Sequence, residues 1–342
     1  MRVLEVPVKV DSAMNDYATA GATAKRLEDA GYDGGFTFEG PHDPFFPLVV
    51  ASQATERLEL YTAIAIAFAR NPMILANIGW DLQSLSKGRF MLGLGSQIKP
   101  HIEKRFSMPW SKPAARMREM VLAIKEIWRC WAEEDRLDFR GEFYQHTLMT
   151  PMFNPGKNPY GNPPIFVAGV GPVMTEAAGE AADGFFVHPF GTAKSVAELT
   201  LPAIERGLAK SGRARKDFQV SLQLMIASGA DAEEIDRVRT LTKQQIAFYG
   251  STPAYKVVLD AHGWGDLQPE LNALSKRGAW GEMSELVTDE ILETIAVCCP
   301  YDEVARRVLE RAEGSADRVS LLAHFSNDPE PWAEIAREIN GR

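Results

Sequence analysis

Three side chains able to trade protons or hold charge, Glu39, His42 and Asp43, stand together in GFTFEGPHDPFFP, residues 35–47. An imidazole titrates near neutrality, which suits a proton donor or acceptor, and Pro41 and Pro44 stiffen the backbone around it. The plainer alternative is a loop histidine that bonds a carbonyl. Glu39 ends an apolar run, where partial burial raises a carboxyl pKa, and it is equally placed to cap the helix that follows. Two glycine-rich stretches add binding chemistry. Gly93-Leu94-Gly95, followed by Ser96 and Gln97, lets a ligand approach the backbone and offers two hydrogen-bonding side chains. VAGVGPVM, residues 167–174, turns into a helix at Pro172, so its exposed amides and the helix dipole make a seat for a phosphate. It is not a dinucleotide fingerprint, because the third glycine is missing and no fitting acid follows about 20 residues on. No GxxxxGK[ST] occurs, so nucleotide hydrolysis has no support. Lys99, Lys104 and Arg105 gather positive charge either as a seat for an anionic tail or as an ordinary solvated face. YTAIAIA, residues 61–67, admits something flat beside the strand or simply packs the interior tightly.

Bulk properties narrow the partners. A net charge of -9 argues against nucleic acid or an anionic membrane, both of which reward a basic surface. The six histidines and three cysteines show no HxxxH or CxxC spacing, and no metal is expected. Cys298 and Cys299 are vicinal, a poor geometry for a disulfide, and with Cys130 they fit a reducing compartment. The opening MRVLEVPVKVD lacks the apolar core of a signal peptide, and no window reaches the roughly 18 apolar residues of a membrane span. A cytoplasmic chain is expected.

The elements that must carry these residues alternate strand and helix. Strands are expected over 3–10, 36–38, 58–68, 88–95, 164–168, 184–187, 218–227 and 318–323, with near-continuous apolar runs that imply cover on both faces. Helices follow over 15–30, stopped by Gly31, then 47–56, 71–86, 112–131, 172–182, 193–210, 301–313 and 331–339. Asn71-Pro72 is a helix-start signal, a side-chain cap ahead of a proline at the first helical position. Eight such units predict an α/β fold, a (β/α)₈ TIM barrel in one domain over 1–342. A doubly wound sheet is the runner-up. Two stretches fall outside the count: an irregular excursion over 133–163 and a helical insertion over 231–297 without strand signals. Both are expected to roof the C-terminal mouth, where barrel enzymes keep their chemistry.

Taken together, Glu39 with His42, Thr62-Ala63 ahead of FARNP, GRFMLGLGS, and VAGVGP followed by AADGFFVHPF resemble the bacterial luciferase-like superfamily. Within it the chain looks most like the branch of oxidoreductases that use the deazaflavin coenzyme F420, and QIAFYGSTPAYKVVLDAHGWGD resembles one of its subgroups. The resemblance implies a flat ring at the mouth, leaning on a strand-three bulge with a non-proline cis peptide at Thr62-Ala63 and lined by Ala65. It also implies that Ser96, Gln97 and His101 contact the cofactor, and that Val170, Gly171, Val173 and Met174 hold its phosphate. His42 corresponds to a proton donor, tuned by Glu39, and Phe46 to an aromatic wall. Sugar-phosphate dehydrogenases of this kind carry glutamate where Ile98 stands, so glucose 6-phosphate is disfavoured. The resulting expectation is hydride transfer between F420 and a small, apolar organic substrate. The alternatives are a monooxygenase using reduced FMN and oxygen, or a flavin-binding barrel without turnover. Trp110, Phe143, Tyr144, Phe190, Phe248, Tyr249 and Trp264 are candidates for an apolar substrate pocket. A homodimer follows from family habit alone.

Overall fold

The structure is a computed structural model and describes residues 7–14, 16–323 and 330–342. Eight parallel strands pair in chain order: β1 (Lys9–Ala13), β2 (Gly34–Thr37), β3 (Glu59–Thr62), β4 (Phe90–Gly95), β5 (Ile165–Gly169), β6 (Gly184–Val187), β7 (Gln219–Ala227) and β8 (Arg318–Leu322). β8 pairs back onto β1, which closes the sheet into a barrel and leaves no open edge. The outer helices used below are α1 (Ala20–Ala30), α2 (Phe46–Ala54), α3 (Pro72–Leu85), α4 (Pro113–Glu133), α5 (Pro172–Ala181) and α6 (Leu201–Ser211). Their boundaries follow local chemistry. Gly31 ends α1 in the left-handed conformation at φ 94°, and the Asn71 side chain accepts the Ile74 N–H at 3.0 Å to open α3. Residues 3–6 of the expected first strand and Asn15 lie outside the described residues; in what is described, β1 runs on to Ala13, and the helix expected from 15 begins only at Ala20, after a turn over 17–19.

The interior is a filled stack. At the N-terminal end, Arg318 lies inside the barrel at 1% exposure and donates two hydrogen bonds of 2.7 Å to Asp11 and one of 2.9 Å to Glu59. Lys9 also pairs with Glu59. Burial opposes the Arg318 charge, and Asp11 and Glu59 more than offset it, holding the guanidinium pKa well above its ordinary value. Gly34 is required here, since a Cβ would stand 2.4 Å from Asp11 Oδ1. Above this layer Phe36, Tyr61, Met91, Phe166, Phe186 and Leu322 plug the lumen. Tyr61 stacks between Phe36 and Phe186 at 5.4 and 5.5 Å. What remains open is the C-terminal end.

Three expectations need correction. The strand expected over 58–68 breaks after Thr62 and resumes only as Ala65–Ile66, because the chain bulges between them. The Thr62 side chain bridges the gap in the ladder, donating to Gly93 O at 2.7 Å and accepting from Gly93 N at 3.0 Å. The excursion over 133–163 does not roof the mouth. It forms a small hairpin whose amides at 142, 143 and 144 bond the Glu119 carboxylate on α4, and it then runs along α3, where Trp80 Nε1 donates to Gly156 O. The insertion over 231–297 is helical as expected, beginning with α7 (Ala232–Gly250), but it ends in a short strand, Val297–Cys298, on the extended end of β7.

Candidate functional site

Parallel strands deliver all their C-terminal tips to one end of the barrel, and there the tips surround a cavity of about 400 Å³. One wall comes from the tips of β2 to β5: Phe38, Glu39, Ala63, Ile64, Gln97 and Ala168. The opposite wall comes from β6 to β8 and α7: Val187, His188, Gln223, Gln245, Tyr249 and Leu322. The volume falls in the range of small-molecule and cofactor sites.

The bulge after β3 shapes the first wall. The peptide between Ala63 and Ile64 is cis, one bond later than the Thr62-Ala63 position implied by resemblance. The bulge reverses the alternation of side chains across the strand. Ala63 and Ile64 therefore face the cavity, whereas Thr62 and Ala65 are fully buried behind it. Glu39 lines the same wall, with a side chain only 6% exposed that is committed to structure. Its Oε2 accepts from Arg70 at 2.6 Å and from the Ile66 amide at 2.7 Å, while its own N–H bonds Ile64 O at 3.0 Å. Arg70 also reaches Asp43 at 2.9 Å. Glu39 thus ties the β2 tip to the bulge. Glu39→Ala is expected to lower stability by about 2–3 kcal/mol, since it leaves a largely buried guanidinium and an amide short of a partner. Urea unfolding measures this, and a change under about 0.5 kcal/mol would refute the clamp.

His42 is placed differently from expectation. Its ring is exposed at the rim and packs edge-on against Tyr17, 4.7 Å between centroids, and it does not line the cavity. The reason is local: Asp43 is held by Arg70 and bonds the Phe45 amide at 2.8 Å, and Thr37 bonds Pro44 O at 2.7 Å, which turns residue 42 outward. Phe46, expected as an aromatic wall, is 72% exposed on α2. Phe190 is fully buried under α7, stacked on Tyr255, and the partly buried Trp110 packs perpendicular to Phe68 against the main core. Of the aromatic candidates only Tyr249 faces the cavity.

After β4, Gln97 takes a left-handed conformation at φ 59° and lines the cavity, whereas the Ser96 hydroxyl bonds Gln97 O and His101 is exposed. After β5, Gly171 caps α5 with no side chain over the first turn, and a Cβ there would meet nothing within 4 Å. Among the described residues no acceptor meets the amides of Val173 and Met174, so the helix start presents free N–H groups. The Val173 side chain points to solvent, Met174 packs on Gly169, and Val170 lies beside a small crevice under His188.

The imidazole that the cavity does contain is His188, at the end of β6. Its Nδ1 accepts the Phe190 amide at 3.1 Å, so the neutral ring carries its proton on Nε2 and donates to Tyr255 Oη at 3.1 Å. Burial pushes the His188 pKa down to about 3, and burial raises those of Tyr249 and Tyr255, the latter to about 12. This wall is therefore uncharged at neutral pH. The signals for it were present in the sequence: His188 directly follows an apolar run, Gln223 interrupts one, and Gln245 and Tyr249 share a helical face. Among the described residues no cluster of three or more His, Cys, Asp or Glu side chains can hold a metal, and no helix is long and apolar enough to cross a membrane.

Comparison with known proteins agrees with this architecture. A family model described as luciferase-like monooxygenase matches residues 4–318. An uncharacterized protein of Mycobacterium tuberculosis is 55% identical over 91% of this chain and 92% of its own length. A 5,10-methylenetetrahydromethanopterin reductase of Archaeoglobus fulgidus is 26% identical over 92% of both chains. The solved coenzyme F420-dependent tetrahydromethanopterin reductase of Methanopyrus kandleri superposes with a TM-score of 0.79 at 20% identity, covering 98% of each chain.

Proposed function

From the premise that this chain belongs to the luciferase-like monooxygenase family, we propose that it is an F420-dependent oxidoreductase acting on a small organic substrate. The observation that carries the cofactor half of the reading is the open start of α5 beside the mouth. A phosphate placed there meets free amides and the positive end of the helix dipole, and Gly171 leaves room for it. The relationship to F420-dependent reductases supports the choice of deazaflavin over FMN.

The residues that would hold the cofactor are Ala63, Ile64, Ala168 and Gln97 against its ring, and the amides of Val173 and Met174 at its phosphate. When bound, a deazaflavin supplies hydride chemistry. The protein's own contribution is orientation and exclusion of water: the Glu39–Arg70 pair fixes the bulge, and the aromatic plug of Phe36, Tyr61 and Phe186 closes the floor.

Titration of the purified protein with F420 and with FMN, followed by fluorescence, tests the reading. Micromolar binding of F420 is expected, and Gly171→Asp should weaken it at least about tenfold by setting a carboxylate at the phosphate seat. Micromolar binding of FMN with none of F420 would transfer the protein to the flavin monooxygenases. Cofactor binding with no turnover of any carbonyl, alcohol or alkene substrate would favour a binding barrel.

A further inference from the structure

We infer that the wall built by β6, β7 and α7 binds an uncharged carbonyl compound, or the corresponding alcohol, by its oxygen atom, with Tyr249 as hydrogen-bond donor. The inference rests on the reading above for the reaction, but its grounds are separate. The first is charge. Among the described residues Glu39 is the one carboxylate that lines the cavity, and Arg70 already neutralises it; no described lysine or arginine lines it, and His188 is neutral. A phosphate or carboxylate entering here would shed its hydration with no counter-charge to replace it, whereas an uncharged molecule loses little.

The second ground is hydrogen-bond supply. Gln245 Nε2 donates to Tyr249 Oη at 3.1 Å, one turn away on α7, and so occupies the acceptor side of the phenol. Among the described residues no acceptor meets the Tyr249 hydroxyl hydrogen, which is left to be donated into the cavity. A phenol keeps that proton at neutral pH in any case, and burial raises its pKa further. The Tyr249 and His188 rings pack near perpendicular, 4.8 Å between centroids, and His188 is pinned by the Phe190 amide and Tyr255, so the phenol is held by His188 at its ring and by Gln245 at its oxygen. Gln223 is the second free group, its carboxamide without a partner among the described residues. The third ground is the rest of the lining: Phe36, Phe38, Phe186, Val187 and Leu322 suit an apolar body. The Tyr249 hydroxyl and the Gln223 carboxamide, set in such a surface, orient a molecule that has a single acceptor oxygen.

The test uses cyclohexanone, cyclohexanecarboxylate and glucose 6-phosphate as probes of the full chain, with and without F420, in NMR binding titrations at pH 7.5. Cyclohexanone is expected to bind at least about tenfold more tightly than either anion. Tyr249→Phe should weaken cyclohexanone about tenfold, the worth of one hydrogen bond to a positioned donor, and leave F420 affinity unchanged. Gln223→Lys should reverse the preference toward the carboxylate. Equal or tighter binding of either anion, no binding of cyclohexanone, or an unaltered Tyr249→Phe would overturn the assignment. If F420 fails to bind while the ketone preference and its loss in Tyr249→Phe persist, the cofactor reading falls and the wall stands. If F420 binds and the ketone does not, the wall falls alone.

Discussion

Gly93→Ala is expected to destabilise the protein by more than about 3 kcal/mol, or to prevent soluble folding, because the added methyl has nowhere to go. An ideal Cβ at 93 falls 1.7 Å from the Thr62 carbonyl oxygen and 2.7 Å from the Phe186 ring. Neither neighbour yields cheaply. Thr62 is fully buried and locked to the Gly93 backbone by two hydrogen bonds across the break in the β3–β4 ladder. Phe186 is caught between Tyr61 and Phe166, at 5.5 and 5.0 Å. Gly95→Ala is a useful contrast, since its Cβ meets the Ile64 side chain, which faces the cavity and has room to turn. It should cost less stability and act on cofactor affinity instead. Urea denaturation of both variants decides the matter; a Gly93→Ala protein within about 1 kcal/mol of the parent would show that the β3 bulge is not held as described.

The second large effect is expected at the opposite end of the barrel. Arg318→Met should cost about 3–5 kcal/mol, because it strands Asp11, fully buried, with no cation to face, and leaves Glu59 with Lys9 alone. Replacing Asp11 by asparagine in the same chain should recover part of the loss, since the uncompensated charge disappears even though the ion pair is gone. The double variant is therefore expected to be more stable than the sum of the two single losses predicts. Strict additivity of the three unfolding free energies would mean that the buried guanidinium and carboxylate are not coupled, and the buried layer would need another account. Cofactor affinity should be nearly unchanged, because this layer lies below the aromatic plug and away from the mouth.

These two sites illustrate how unevenly the structure was legible. Local signals sufficed for the elements: the asparagine-proline start of α3, the left-handed stop of α1 at Gly31 and the doubly covered apolar runs are properties of a few consecutive residues. Strand and helix alternating eight times then leave few ways to close, and the barrel follows. The mouth follows in the same way, since parallel strands all end there, and so does the helix start behind Gly171, which is a glycine before a proline. The same logic did not reach side-chain direction. Ala65 and Thr62 were expected beside the ring and lie behind the wall, while Ile64 faces the cavity.

The amino-acid sequence by itself determined the order of units, their caps and the family to which the chain belongs. Only the tertiary structure decided which tip residues share the cavity. A strand alternates its faces with period two, so one bulge reverses every assignment after it, and nothing local announces the bulge after Thr62. Partners distant in sequence did the rest: Arg70 draws Glu39 and Asp43 into an ion-pair network and turns His42 to the rim, while α7 brings Gln245 and Tyr249 alongside His188. Those pairings depend on closure of the whole barrel, which fixes distances that no short stretch of sequence contains.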